Sequence, residues 1–445
     1  MLLGHARCGL VRVGAVPEPA ALSGGVSARR PAVARPPQGT RRRQAHDEQG
    51  LPRRDHAAGQ HADGAHPARA DQAEAHARHG HQLEVLRGAA GEITPLGYDR
   101  GSIVAIGFDR RFFAIETALV DDLDNFIQTN IKNDYYFTFF GGEPTLNVKF
   151  IENVMNRFPD KLYQIQTNGT LLSKLDASIL EKFDNFLISI DGGKETTDKY
   201  RGKGVYDTVI DNVSYIRDIV NGSLTARMTY CDSNLTIEEV DELFNYFNYV
   251  HFQFAQYEGV YTLEDMNKKK HFLDCLVDRF FNNDELYKVV PLMGITRNLL
   301  FPQLAFDQCN GSTQCRVSTN IVNIRPDGEI YACPDMTWSK SMHHGSVKNN
   351  YLKESPLQLH KDMPCNDCIA YTWCRGNCMK NLWRAYVDNN EEYRNKVVEP
   401  VCELVKYLGD AISRYDIKKW YNSLSEANKN EILYSKLYNY TEIVP

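Results

Sequence analysis

The chain has 445 residues, of which 42% are hydrophobic, and its formal net charge at pH 7 is −6. This length predicts two domains with additional segments, and the hydrophobic fraction is sufficient for ordinary cores. The negative charge argues against attraction to nucleic acid or to an anionic bilayer. No run of about 18 apolar residues occurs, so no membrane span is predicted. We therefore expect a cytoplasmic protein whose thiols stay reduced.

Residues 1–92 differ in composition from the rest of the chain. They contain no Lys, Asn, Ile, Phe, Tyr or Trp, yet they hold eight of the 13 His. A segment rich in Pro, Gly and Arg that lacks aromatic residues buries too little surface to form a core. Three interpretations stay open: a disordered tail, an organellar targeting peptide, or translation of DNA that does not belong to this gene. Nine scattered acidic residues weaken the targeting interpretation. The complete change in amino-acid composition at this boundary favours an out-of-frame or chimeric start.

From residue 100 onward, predicted strands and helices alternate, which indicates a parallel sheet with right-handed crossovers. The predicted strands are Tyr135–Phe140, Leu162–Thr167, Phe186–Asp191, Leu224–Tyr230 and Val250–Phe254. The predicted helices are Asn147–Phe158, Ser173–Phe183, Tyr206–Val220, Ile237–Phe247 and Thr262–Asn282. If the sheet curls into a barrel, its chemistry is expected at the carboxyl ends of the strands.

Polar motifs stand at four of these strand ends. Gly141-Gly142-Glu143-Pro144 follows the first predicted strand, Thr167-Asn168-Gly169 ends the second, Ser189-Ile190-Asp191-Gly192 ends the third, and Arg227 with Thr229 lies on the fourth. Two glycines permit close approach of a ligand to the backbone, and Pro144 suits the first position of a helix. A Gly-Gly turn is by itself often only a turn. Four polar strand ends in succession predict a ligand pocket.

Eight of the 11 cysteines lie between residues 309 and 402, namely Cys309, Cys315, Cys333, Cys365, Cys368, Cys374, Cys378 and Cys402. Eight thiolates make two sets of four, and four thiolates are the usual ligands of a 4Fe–4S cluster. A disulfide framework suits small secreted domains better than this long chain. Zinc is the stronger alternative, since Cys365-x2-Cys368 resembles a zinc ribbon, although the spacing of Cys374, Cys378 and Cys402 fits a ribbon poorly. Buried free cysteines are the remaining alternative.

Taken together, the motifs and the cysteine block resemble a radical S-adenosylmethionine (SAM) enzyme with a C-terminal SPASM domain, of the peptide-modifying kind. The resemblance spans about residues 105–405 and implies a partial (β/α)6 TIM-type barrel over residues 93–300. A cysteine-rich SPASM iron–sulfur domain over residues 305–405 and a helical tail over residues 406–445 would follow.

The resemblance also implies site residues. Gly141, Gly142, Glu143 and Pro144 would bind the SAM amino group, Thr167, Asn168, Ser189 and Asp191 would line its site, and Arg201 or preferably Arg227 would pair with its carboxylate. One auxiliary 4Fe–4S cluster would take Cys309, Cys315, Cys333 and Cys378, and the second would take Cys365, Cys368, Cys374 and Cys402. Asp335 lies one residue away from the catalytic aspartate position of related sulfatase-maturing enzymes, and a turn role competes with that of a general base.

The resemblance fails at one defining element. The family's CxxxCxxC, which holds the SAM-cleaving cluster, is expected about 40 residues before the GGEP motif, and residues 85–110 contain no cysteine. The SAM-cleaving 4Fe–4S cluster therefore has no ligands in this chain. The expected activity is modification of a ribosomal precursor peptide through a 5′-deoxyadenosyl radical, with a flavodoxin or ferredoxin-type reductant, inactive as the sequence stands. The alternatives are a non-catalytic iron–sulfur protein for electron transfer or peptide binding, and an anaerobic sulfatase-maturase-like enzyme.

Overall fold

The computed structural model of the chain describes residues 102–108, 118–308, 313–317, 319–440 and 445, all within one compact unit. The expectations for residues 1–92 and for Cys309 lie outside the described residues. No helix in the described part of the chain is long and apolar enough to cross a membrane.

A single ten-stranded sheet organises the described residues. Its strands are β1 (Ser102–Phe108), β2 (Tyr135–Gly141), β3 (Tyr163–Thr167), β4 (Asn185–Ser189), β5 (Ser223–Tyr230), β6 (Tyr249–Phe254), β7 (Ile321–Ile324), β8 (Glu329–Tyr331), β9 (His343–Ser346) and β10 (Tyr351–Leu352). The order across the sheet is β10-β9-β8-β7-β1-β2-β3-β4-β5-β6. Strands β1 to β6 are parallel and follow the chain order. This is the partial (β/α)6 barrel that the sequence predicts.

Helices connect these strands and continue after them. They are α1 (Ala118–Asn130), α2 (Val148–Arg157), α3 (Ala177–Leu180), α4 (Lys194–Arg201), α5 (Val205–Ile216), α6 (Ile237–Leu243), α7 (Leu263–Asn282), α8 (Val290–Leu300), α9 (Pro302–Gln308), α10 (Tyr371–Cys374), α11 (Met379–Leu382), α12 (Glu391–Tyr393), α13 (Glu399–Ser413), α14 (Ile417–Ser423), α15 (Glu426–Tyr434) and α16 (Leu437–Tyr440). Thr262 starts α7 with a capping box in which its side chain accepts from the Asp265 N–H, which satisfies donors that the first turn leaves open.

The two faces of the parallel sheet differ sharply in chemistry. One face is apolar and packs under the helices, with Val104, Phe137, Ile165, Phe186 and Phe252 in its core. Because side chains alternate along a strand, the other face carries the intervening residues, and several are polar yet fully buried: Thr138, Gln164, Asn185, Thr225, Arg227 and His251. Asn185 joins three strands by donating to Gln164 Oε1 and accepting from Thr225 Oγ1. The inner face therefore carries a buried polar cluster on β2 to β6, next to apolar residues such as Ile103, Ala105 and Tyr136.

Two sequence predictions require correction. The helix expected over Ser173–Phe183 is a 3-10 turn, Leu172–Lys174, followed by the single turn α3. The backbone of Leu175 is extended between them, and this break lets Leu172, Leu175 and Ile179 all reach the core. The strand expected to include Asp191 ends at Ser189, so Asp191 stands in the following loop.

The cysteine-rich region is joined to the barrel by strand pairing. Strand β7 pairs in parallel with β1, and β8 and β9 continue the sheet as antiparallel strands. Gly328, whose φ is +85°, lies in the turn between β7 and β8, where a left-handed residue is needed. Helix α13 runs from Glu399 to Ser413, across the boundary expected between the SPASM domain and the tail.

Candidate functional site

Gly141 and Gly142 bring the end of β2 against the end of β1. The φ of Gly141 is +109°, and a Cβ there would lie 2.6 Å from the backbone N of Phe108 and collide with its carbonyl oxygen. Gly142 donates its N–H to that carbonyl. Only glycine combines this backbone conformation with so close an approach. Pro144 then begins a 3-10 turn, Pro144–Asn147.

Glu143 ties the GGEP motif to the TNG motif. Its Oε1 accepts from the N–H and the hydroxyl of Thr145 and from the hydroxyl of Thr167, which is 2.6 Å away. Its Oε2 accepts from the N–H of Asn168 at 2.8 Å. The residue is only 7% exposed. A carboxylate has about four acceptor positions, two on each oxygen, so the protein saturates Oε1 and leaves acceptor capacity on Oε2.

Asn168 and Ser189 stand at neighbouring strand ends. Asn168 Oδ1 accepts from the N–H and the hydroxyl of Thr170, which fixes the loop after β3 as an Asx turn. Ser189 is the last residue of β4, is partly exposed, and lies in register with Arg227 on β5. The structure thus brings the GGEP, TNG and SIDG motifs to one edge of the sheet.

Asp191 and Arg201 form a buried ion pair. Arg201 Nη2 donates to Asp191 Oδ1 at 2.7 Å, and the side chains are 13% and 2% exposed. The same oxygen accepts from the N–H of Thr229. A charged pair with this burial is costly to break. Arg201 is therefore already engaged by a protein carboxylate.

Arg227 lies on the inner face of the sheet and is 4% exposed. Its Nη2 donates to Gln253 Oε1 at 2.7 Å, and its Nη1 lies 3.2 Å from His251 Nδ1. Both partners belong to β6. Sequence reasoning missed His251 and Gln253, although their period-two spacing on a predicted strand was a usable signal.

Three of the cysteines assigned to one auxiliary cluster line a common cavity. Cys315, Cys333 and Cys378 surround it together with Val317, Pro334, Leu357, Met379 and Lys380, and the empty space amounts to about 250 Å³, part of it open to solvent. All three cysteines are buried. We call Cys309, Cys315, Cys333 and Cys378 the first cysteine set; the structure describes the last three.

The remaining four cysteines, the second cysteine set, influence one another as neighbours. Burial, together with the thiols of Cys402 and Cys368, raises the pKa of Cys365 to about 12. Burial likewise raises the pKa of Cys374 well above its usual value, with Cys402, Cys365 and Cys368 adding to it. In the first set, burial raises the pKa of Cys378 to about 12, with Cys315 adding to it. Each of these contributions comes from a thiol of the same set; the division of the thiols between two clusters stays a prediction.

The donor chemistry fits a multinuclear cation cluster. Buried thiols with raised pKa values are protonated at neutral pH, and a metal that binds thiolate must displace their protons and supply the compensating positive charge. Among the described residues, no three or more His, Cys, Asp or Glu side chains are placed to hold a single metal ion. The three buried thiols around one cavity are soft ligands of the type that iron–sulfur clusters take.

Asp335 lies beside the first set. It belongs to a 3-10 turn, Pro334–Met336, and its Oδ2 lies 3.7 Å from Lys380 Nζ. Burial raises the pKa of Cys333, and Asp335 contributes to the increase. Its carbonyl accepts from the indole N–H of Trp338. The carboxylate of Asp335 therefore lies near Lys380, which lines the cavity together with Pro334.

The parallel partial barrel with polar motifs at its carboxyl edge defines the class of fold, and comparison with known proteins agrees with it. Residues 107–247 match the family model of the Radical SAM superfamily. This stretch resembles a radical SAM domain.

Two relatives have established names. The chain is 26% identical over 308 residues to a cysteine-type anaerobic sulfatase-maturating enzyme of Clostridium novyi, covering 58% of this chain and 78% of the relative. It is 24% identical over 326 residues to the radical SAM cyclopropyl synthase TigE of Paramaledivibacter caminithermalis, covering 66% of this chain and 65% of the relative. The resemblance predicted from the motifs is confirmed.

Among solved structures, the chain is similar to native anSMEcpe with bound AdoMet and Cp18Cys peptide. The similarity has a TM-score of 0.47 at 17% identity and covers 68% of this chain and 98% of that one.

Proposed function

We propose that the chain is a radical SAM/SPASM enzyme that modifies a ribosomally synthesised peptide through a 5′-deoxyadenosyl radical. One observation carries the proposal: the edge organised by Glu143 and the two cysteine sets occur in a single chain. The relatives named above, one sulfatase-maturating and one a cyclopropyl synthase, support a polypeptide substrate. The reductant would be a flavodoxin or a ferredoxin.

The chain's own residues would bind and orient SAM at the carboxyl edge. Glu143 Oε2 has acceptor capacity for an ammonium group, and Ser189 offers a hydroxyl at the adjacent strand end. Arg227 provides a buried guanidinium for the SAM carboxylate, which a charge-assisted hydrogen bond would hold. The radical SAM cluster, when present, supplies the electron that cleaves SAM. Asp335 remains our candidate for a general base.

The first cysteine set would hold one auxiliary cluster and the second set another. Anaerobic reconstitution of the chain is expected to load about eight irons and not about twelve, because two complete sets of four thiolates are available. Zinc uptake without charge-transfer absorption would overturn the cluster assignment. The variants Cys378→Ala and Cys402→Ala should each lose a different cluster, which their spectra would show. Identical residual spectra would contradict the division into these two sets.

We further propose that the chain does not cleave SAM as its sequence stands, because its 11 cysteines include no CxxxCxxC. The assay is formation of 5′-deoxyadenosine with dithionite, comparing the chain with a variant in which a family-like CxxxCxxC segment is restored. Product from the repaired variant alone is expected, and robust product from the unrepaired chain would contradict the proposal. A CxxxCxxC in another reading frame upstream of Ile93 would supply the natural segment.

Two alternatives have specific support. The missing motif favours a non-catalytic iron–sulfur protein that transfers electrons or binds a peptide. The similarity to a sulfatase-maturating enzyme, with Asp335 beside Cys333, favours a sulfatase-maturase-like enzyme. Incubation of the repaired variant with a sulfatase-derived cysteine peptide separates these possibilities, because only the maturase-like enzyme is expected to change the mass of that peptide.

A further inference from the structure

Two buried arginines adopt the left-handed backbone conformation directly after a cysteine. Arg316 has a φ of +49° and Arg375 a φ of +55°, and they are 2% and 8% exposed. Arg316 follows Cys315 of the first set, and Arg375 follows Cys374 of the second set. Residues other than glycine rarely adopt this backbone conformation. It persists only where the surrounding structure enforces it. The two turns are therefore held in place by their contacts.

One hydrogen bond joins the two turns. The N–H of Gln314, immediately before Cys315, donates to the carbonyl of Arg375 at 2.7 Å. The left-handed conformation at Arg375 directs this carbonyl, so the backbone beside a cysteine of the first set depends on the backbone beside a cysteine of the second. The guanidinium of Arg375 lies 4.5 Å from the centre of the Tyr371 ring, which fixes the turn from its other side.

The segment that contains Arg375 is anchored at its start as well. Trp373 is 1% exposed, and its carbonyl accepts from Asn298 Nδ2 at 2.8 Å. Its ring packs on Gly409 of α13, where a Cβ would lie 2.6 Å from Cη2. Helix α13 also carries Cys402. At its end the segment reaches Cys378, which lines the cavity of the first set. Residues 373–378 thus form a rigid connection between the two cysteine sets.

We propose that Arg375 and Cys374 are positioning residues for the first set, so that the turn at a cysteine of the second set holds a cysteine of the first set in place. This inference rests on the proposed cluster function. The Cys374 side chain would hold the Arg375 carbonyl in place even when the second cluster is lost, and that carbonyl would hold Gln314 and hence Cys315. Cys402 lies outside residues 373–378, so its loss should affect the second set alone.

The test compares two variants that each remove one ligand of the second set. The full chain with Cys374→Ala or Cys402→Ala is reconstituted anaerobically, and iron content and the electron paramagnetic resonance signal of each reduced cluster are measured. We expect the signal of the first cluster to persist in Cys402→Ala and to fall about tenfold in Cys374→Ala, as for other losses of metal-supporting contacts. Equal first-cluster signals in the two variants would overturn the coupling.

A second pair of variants keeps every cysteine. Arg375→Gly retains the carbonyl and favours the left-handed conformation, whereas the β-branched side chain in Arg375→Val opposes it. First-cluster iron should be retained in Arg375→Gly and reduced in Arg375→Val; equal retention would contradict the proposal even if Cys374→Ala does not fold. An unaltered chain that takes up no iron would instead overturn the cluster function itself.

Discussion

Replacing Glu143 with glutamine tests whether its carboxylate holds the SAM edge together. The four donors to Glu143 come from Thr145, Thr167 and Asn168. In Glu143→Gln, the amide NH2 must face at least one of these donors. With the NH2 at the Oε2 position, the N–H of Asn168 stays buried without a partner, which costs about 1–3 kcal/mol. The three hydrogen bonds at Oε1 would also lose their charged acceptor, which reduces the stability of the fold by about 0.5–1 kcal/mol for each bond.

The expected destabilisation is therefore about 3–5 kcal/mol, a loss of roughly 5–10 °C in Tm. Thermal unfolding of the metal-free chain measures it, and isothermal titration with SAM should show affinity reduced about tenfold. Glu181→Gln is the control, because Glu181 is exposed and its side chain has no hydrogen bond within the described residues. If Glu143→Gln has the same Tm as the unaltered protein and binds SAM with the same affinity, the carboxylate does not organise this edge.

Two further substitutions probe the packing around the site. Gly409→Ala should destabilise the chain by about 1–3 kcal/mol through overpacking, since its Cβ would meet Trp373, and the exposed change Glu403→Ala on the same helix should cost under about 1 kcal/mol. Burial lowers the pKa of Lys269 to about 8, so the charged amine destabilises the fold below that pH and this cost disappears as pH rises toward 10.5. Lys269→Met removes this charge together with the hydrogen bond that the amine donates to the carbonyl of Cys231, so its effect on the free energy of unfolding should be about 2 kcal/mol more favourable at pH 7 than at pH 10; urea unfolding that shows equal effects at both pH values would contradict this.

The barrel was predictable because its strands are locally encoded. Tyr135–Gly141 and Ser223–Tyr230 are short runs that are buried at nearly every position, as is usual for parallel strands covered on both faces. Strand β1 was not among the predicted strands. The pairing of β7 with β1 joins residues more than 200 positions apart, and nothing in the short sequence Ile321–Ile324 indicates such a partner. Non-local pairing depends on the packing of the whole chain and leaves little local signal.

The candidate site was predictable in its residue types but not in its bonding. The GGEP sequence identifies Glu143 as a polar residue at a strand end, yet the sequence alone cannot say how much of its carboxylate the protein itself occupies. Similarly, the sequence offered both Arg201 and the preferred Arg227 as partners of the SAM carboxylate, but it could not reveal the ion pair of Arg201 with Asp191. Such distinctions depend on small differences in the distances between side chains on different strands. Sequence patterns indicate only the strand end at which a residue lies.

The position of β1 changes how the missing cysteines should be restored. The expected motif, about 40 residues before Gly141, would fall at the beginning of Ser102–Phe108, which is a strand paired with both β2 and β7. In this strand the first two cysteines of a CxxxCxxC would share one face about 13 Å apart and the third would lie on the other face, so the three could not converge on one cluster. The carboxyl end of β1 is the suitable place, because the carbonyl of Phe108 accepts from the N–H of Gly142 and chemistry in such barrels gathers at that edge. A CxxxCxxC segment inserted directly after Phe108 should therefore restore SAM cleavage more effectively than one inserted before Ser102, since only the first places the thiolates beside the GGEP motif.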